Sequence, residues 1–254
     1  MSAQTSPEII RTENVTKRFG EMVAVDRVNY SLHENEIAGI IGSNGAGKTT
    51  FFNLITGYYL PDEGTICYKG EDITATTAQQ RVNMGMMRTF QLTSTFDTLT
   101  VMDNLVLSFF RAHRKSSLFH LFFTTRKRHR NDEKIQSCLE TFDLQRVAER
   151  DVKSLALGEK RRLEIAMSIL AEPEVLLLDE PLAGLSETEI QSVLEVLRQN
   201  SSKQTILIVE HKISKVEDFL ERLTVMHEGR IIADGTYEEC LKAPEVRKSY
   251  WQID

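Results

Sequence analysis

Ile37-Ala38-Gly39-Ile40-Ile41 runs directly into Gly42-Ser43-Asn44-Gly45-Ala46-Gly47-Lys48-Thr49. The first five residues read as a strand buried on both faces, and the next eight fit G-x-x-x-x-G-K-[ST]. Each part of that pattern has a physical reason. Glycines let the loop wrap phosphate oxygens with backbone N–H groups, and the helix that follows turns its positive end toward the anion. Lys48 reaches the terminal phosphates, and the Thr49 hydroxyl ligates Mg²⁺. A dinucleotide-type G-x-G-x-x-G does not fit, because counted from Gly45 its third glycine falls at Thr50. The alternative, a Gly-rich turn with no ligand, is weakened by the strand before it and the helical residues 49–56 after it.

Two more short apolar runs, Val175-Leu176-Leu177-Leu178 and Ile206-Leu207-Ile208-Val209, have the same buried-strand character. Helical patterns separate them, as in residues 186–200. There Ile190, Val193, Leu194 and Leu197 recur at helical spacing, and Ser186 with Glu189 makes a capping box. The expected fold class is α/β: a P-loop NTPase (RecA-like) core with an antiparallel β subdomain and an inserted α-helical subdomain. The β layer comes from alternating residues 13–32 and the strand-like 64–70, and residues 223–227 and 230–234 read as a late strand pair. One domain is expected over 1–254. Residues 1–91 and 171–235 form its core, 92–170 its helical part and 236–254 a helical tail.

The second apolar run delivers Asp179-Glu180 at its C-terminal end, where parallel sheets place their ligands. Asp179 would hold Mg²⁺, and Glu180 would polarise a water that attacks the terminal phosphate. The third run ends in Glu210-His211, and an imidazole there can donate to a phosphate oxygen and sense its presence. Gln91, after the strand-like Arg88-Thr89-Phe90, can reach Mg²⁺ or the attacking water. Read singly, Asp-Glu-Pro is as good a helix-entry turn as a site, His211 suits a solvated turn, and Gln91 suits the surface. The phosphate loop upstream is what favours the functional reading.

Composition narrows the classes. The chain has 254 residues, 41% of them hydrophobic, with 31 Lys/Arg against 37 Asp/Glu, which excludes collagen-like, disordered and disulfide-framework proteins. The net charge of −6 argues against nucleic acid. No apolar run approaches the ~20 residues that cross a bilayer, and the N-terminus lacks the charge and apolar pattern of a signal peptide, so a cytosolic location is expected. The three cysteines are far apart and read as reduced structural thiols. Locally the charge reverses: Arg111, Arg114, Lys115, Arg126, Lys127, Arg128 and Arg130 occur with no acid among them. That strip suits anionic lipid headgroups, or equally a solvated loop.

Ser154-Leu155-Ala156-Leu157-Gly158-Glu159-Lys160-Arg161-Arg162-Leu163-Glu164-Ile165-Ala166, taken with Lys48 and Asp179-Glu180, resembles the signature region of the ATP-binding cassette (ABC) family. The order of phosphate loop, Gln91, signature, Asp179-Glu180, Ala183-Gly184-Leu185-Ser186 and His211 extends the resemblance over nearly the whole chain. It implies ATP as ligand, bound by Gly42 to Thr50. It makes Phe19 the aromatic that stacks on adenine, a residue otherwise read as core. It also implies that Ala156, Gly158 and Glu159 meet a nucleotide held by a second ATPase subunit. The signature departs from the usual L-S-G-G-Q: Ala156 lacks the hydroxyl, Leu157 replaces a glycine and Glu159 replaces glutamine. Glu159 either faces phosphate and retunes the closed dimer or caps its helix.

Met87-Arg88-Thr89-Phe90-Gln91, Leu155-Ala156-Leu157-Gly158 and Pro181-Leu182-Ala183-Gly184-Leu185 are similar to ATPase subunits of branched-chain amino-acid and urea-type importers. The implied partners are a second ABC ATPase subunit, identical or different, transmembrane permease subunits and, indirectly, an extracytoplasmic solute-binding protein. The implied location is peripheral, on the cytoplasmic face of the inner membrane. Three rivals remain: a lipopolysaccharide-export ATPase, whose tail resembles residues 246–251, a weakly hydrolysing regulatory subunit, and a soluble cassette acting on DNA or ribosomes.

Overall fold

The computed structural model describes residues 6–88, 95–113, 130–200, 204–211 and 216–251. Its contacts divide the chain into two units, one of residues 1–88, 174–180 and 201–254, the other of 89–173 and 181–200. Residues 181–200 therefore group with the helical unit, whereas the sequence placed 171–235 in the core. Among the described residues no helix is long and apolar enough to cross a membrane.

The first unit holds two sheets. Strands β1 (Glu8–Phe19), β2 (Met22–His33), β3 (Ile37–Gly42), β4 (Glu63–Tyr68), β5 (Glu71–Asp72) and β6 (Met86–Arg88) come from its N-terminal part. Strands β7 (Val175–Asp179), β8 (Thr205–Val209), β9 (Arg222–His227) and β10 (Arg230–Gly235) complete it. The order β2-β1-β4-β5 makes an antiparallel layer, with burial alternating from Val28 to His33 of β2. The order β10-β9-β3-β8-β7-β6 makes a second sheet that is parallel except at the β10 edge. Strands β3, β7 and β8 are buried along their whole length, as their unbroken apolar sequences required.

Helix α1 (Lys48–Ile55) follows β3. Its Phe51, Phe52, Leu54 and Ile55 join β-strand residues of both sheets in one core, each side chain worth about 1.5–3 kcal/mol when fully buried. Helix α2 (Ala78–Asn83) carries Arg81, which is 1% exposed. Register brings the chemistry to one edge. Ile40 pairs with Val209 and Val209 with Asp179, so these three residues lie level near the ends of adjacent strands, with Gly42, Glu180 and His211 just beyond.

The second unit contains α3 (Val101–His113), α4 (Glu133–Thr141), α5 (Leu157–Leu170) and α6 (Glu187–Asn200). Helix α5 is the hub against which the other three pack. The Ser108 hydroxyl donates to the Met167 carbonyl, and the Cys138 thiol to the Ala166 carbonyl at 3.6 Å. The Ser186 amide and hydroxyl both donate to Glu189 Oε2, at 2.9 and 2.7 Å, so the expected box at the start of α6 is present. Within the basic strip, residues 114–129 lie outside the described residues. The Arg130 guanidinium is engaged by Glu149 at 2.6 Å.

Candidate functional site

The loop 42–47 gets its shape from backbone conformations that glycine permits. Gly45 has φ +82° and Gly47 φ +97°, and a Cβ on Gly47 would come within 3.2 Å of the Gly229 Cα. The Gly229 amide donates to Ala46 O at 3.0 Å, and Gly229 O accepts from the Asp26 amide at 2.9 Å, so the β9–β10 turn braces the loop. Helix α1 opens at Lys48 with no side-chain cap on its first amides. These donors, with the positive helix end, form an anion cradle. Ser43, Asn44, Gly45 and Thr49 are exposed, Gly47 and Thr50 half-buried and Ala46 buried.

Lys48 is 4% exposed and donates to Gly42 O at 2.7 Å and Ser43 O at 3.1 Å. Burial holds its pKa below the usual lysine value, and the nearby charges of Glu180 and Asp179 only partly offset this. Its ammonium also lies 3.4 Å from His211 Nδ1, while His211 Nε2 lies 2.6 Å from Glu180 Oε1. One assignment satisfies both contacts: Lys48 donates to Nδ1, and an N–H at Nε2 donates to the carboxylate. Lysine, imidazole and carboxylate thus form one hydrogen-bonded chain across residues 48, 211 and 180.

Glu180 has φ +47°, a left-handed conformation costly for a non-glycine residue, and its amide donates to Val209 O at 2.9 Å. Asp179 is fully buried at the end of β7 and accepts from Arg88 Nη2 at 2.7 Å. Thr49 and Asp179 supply a hydroxyl and a carboxylate. Among the described residues no group of three or more His, Cys, Asp or Glu could hold a metal ion. A hard cation taking its remaining oxygens from phosphate and water fits such a donor pair, and an all-protein cage does not.

Phe19 is 41% exposed, which does not suit the alternative of a core ring. Its ring sits edge-on to Tyr59, centroids 5.4 Å apart, and the Lys17 ammonium lies 5.8 Å from its centroid. Gln91 lies outside the described residues. Ala156, Gly158 and Glu159 belong to the helical unit, at the start of α5. The Ala156 amide donates to Glu159 Oε2 at 2.8 Å, so of the two readings of Glu159 this structure displays the helix cap. A Cβ on Gly158 would meet Glu189 Oε1 at 3.1 Å.

Three residues received no role from the sequence. Arg88 stood inside a quoted motif, Asn53 inside α1, and Tyr59 in a loop. A basic residue closing a strand of a buried sheet was a signal that an acid must face it. Nothing local marked the other two.

The profile of the ABC transporter family matches residues 25–183. The chain belongs to the ABC transporter family. The high-affinity branched-chain amino acid transport ATP-binding protein LivG of Escherichia coli K12 is 36% identical to this cassette over 250 residues, covering 96% of the chain and 98% of LivG. The corresponding protein BraF of Pseudomonas aeruginosa is 35% identical over 96% of the chain and 98% of BraF. Among solved structures, the ADP conformation of MJ1267, an ATP-binding cassette of an ABC transporter, superposes with a TM-score of 0.79 at 31% identity. It covers 98% of this chain and all of that one. The expected fold class stands: this is an ABC cassette with an antiparallel and a parallel sheet, an ATPase subunit of a transporter.

Proposed function

We propose that this cassette powers uptake of branched-chain amino acids or a related small polar solute. In this reading it sits peripherally on the cytoplasmic face of the membrane, pairs with a second ABC ATPase subunit and docks on transmembrane permeases. An extracytoplasmic solute-binding protein would supply the solute. The single observation that carries the importer reading is similarity to branched-chain transport ATPases over nearly the full length of both chains. It favours import over lipopolysaccharide export.

The residue roles are those the family resemblance implies, and the geometry around Lys48, Glu180 and His211 supports part of them. Amides of the loop from Gly42 to Gly47, with those of Lys48, Thr49 and Thr50, receive the phosphates, and Phe19 stacks on adenine. Lys48 exchanges its contacts with Gly42 O and Ser43 O for phosphate oxygens. That exchange draws Lys48 away from His211 Nδ1 and frees the imidazole to face the terminal phosphate. Thr49, Asp179 and Gln91 hold Mg²⁺, which when bound neutralises charge developing on the phosphates. Glu180, released from His211, accepts the proton of the attacking water. Ala156, Gly158 and Glu159 of one subunit close on the nucleotide of the other, so hydrolysis needs the dimer. Residues 92–170, with Gln91 at their entry, carry the change to the permease.

The test is uptake of labelled leucine, isoleucine and valine by the native host after deletion of this chain. Uptake falls, and returns with the wild-type chain but not with Glu180→Gln. Undiminished uptake of all three refutes the substrate reading. Restoration by Glu180→Gln would instead favour a non-hydrolysing regulatory subunit.

A further inference from the structure

The two residues proposed to hold the metal stand on different elements, Thr49 on α1 and Asp179 at the end of β7. Something must set their separation, and Arg88 at the end of β6 touches both elements. Its Nη2 donates to Asp179 Oδ2 at 2.7 Å. Its Nη1 donates to Asn53 Oδ1 on α1 and lies 3.4 Å from Thr56 Oγ1, just past the end of that helix. The guanidinium carbon lies 4.9 Å from the Phe52 ring centroid and 5.3 Å from that of Tyr58. The Arg88 side chain is 11% exposed.

A counter-charge for a buried carboxylate needs only one contact. A rigid planar fork bonded at separate corners to Asp179 and Asn53, and held against two rings, fixes direction as well as charge. Asn53 lies one turn along α1 from Thr49, so the fork ties the carboxylate to the helix that carries the hydroxyl. We infer that Arg88 is a positioning residue for divalent-metal binding: bridged to Asn53, it holds Asp179 at a set distance from Thr49. This rests on the reading of Thr49 and Asp179 as the metal-holding pair.

The experiment measures Mn²⁺ affinity of the full chain by the electron paramagnetic resonance signal of free Mn²⁺, with a non-hydrolysable ATP analogue bound. Four proteins are compared: wild type, Arg88→Lys, Asn53→Ala and Asp179→Asn. Lysine keeps the charge but cannot span both partners, and Asn53→Ala keeps Arg88 while removing one anchor. Loss of such an orienting contact weakens metal binding by about 10–100-fold. The expected result is a fall of about tenfold in Arg88→Lys and a smaller fall in Asn53→Ala. Analogue affinity in EDTA should stay within about twofold of wild type, the margin taken as no change.

Wild-type Mn²⁺ affinity in both Arg88→Lys and Asn53→Ala, with Asp179→Asn weakened, overturns this inference alone. A fall in Arg88→Lys with none in Asn53→Ala also overturns it, since the bridge to Asn53 then plays no part in holding Asp179. Wild-type affinity in Asp179→Asn removes the metal-holding reading itself. If Arg88→Lys does not fold, Asn53→Ala decides: weakened supports the inference, unchanged overturns it.

Discussion

Arg81→Met should destabilise the nucleotide-binding unit severely. The Arg81 guanidinium donates to backbone carbonyls, Nη1 to Leu54 O at 2.6 Å and Ile55 O at 2.7 Å, Nη2 to Ile73 O at 2.8 Å. Its Nε reaches Thr76 Oγ1 at 3.0 Å. Leu54 and Ile55 end α1, where the helix dipole is negative and the i+4 amides run out, Leu54 O accepting the Gly57 amide at 3.2 Å instead. Methionine fills much of the space and donates nothing. Leu54 O keeps the Gly57 amide and Ile73 O the Thr76 amide and hydroxyl, while the three lost hydrogen bonds from a charged donor to carbonyls are worth about 1.5–3 kcal/mol each, or about 4–9 kcal/mol together. Burial of the cation opposes this, since it pulls the Arg81 pKa down to about 10, and methionine removes that cost. The expected net loss is about 3–5 kcal/mol, among the large single-site effects. For a chain of this size that lowers Tm by on the order of 10 °C. Thermal melts of the nucleotide-free chain read the shift, with Arg81→Lys alongside, because one ammonium can restore only part of the set. A fall in Tm of less than about 3 °C for Arg81→Met would refute the reasoning, showing that the clamp is worth no more than its own desolvation costs.

Glu180→Gln is expected to retain ATP in a binding assay while turnover drops by about 10²–10⁴-fold, and undiminished turnover in the assembled transporter would remove Glu180 from proton transfer. Phe19→Ala should raise the KM for ATP more than it lowers kcat; an unchanged KM would take the ring away from the nucleobase. Burial pushes the thiol pKa of Cys138 to about 12 and that of Cys240 to about 11, whereas Cys67 is partly exposed. A thiol reagent at about pH 8 should therefore titrate one cysteine quickly in the native chain and all three after denaturation, and two fast thiols would contradict the burial of Cys138 or Cys240.

Much of this cassette was legible in the chain because its chemistry is written in short contiguous runs. A strand buried on both faces must be apolar throughout, and a loop that wraps phosphate needs glycine where φ is positive, so residues 37–49 identify themselves. Val175 to Glu180 and Ile206 to His211 did the same once the loop was found. The ambiguous residues were those whose neighbours lie far along the chain. Phe19 could be core or platform until its exposure was seen. Glu159 could face phosphate or cap α5, and only the folded helix start showed its carboxylate on the Ala156 amide.

Sequence by itself determined the α/β class, the phosphate loop, the acid pair after β7 and the membership those motifs imply, since each depends on residues within one element. Tertiary structure alone decided the pairings. Lys48 with His211 spans 163 positions and Arg88 with Asp179 spans 91, while Arg81 binds backbone carbonyls that every sequence possesses. Sheet register and helix packing bring such groups together, and a hydrogen bond depends on distance and direction in space, neither of which has a local signature in the order of residues.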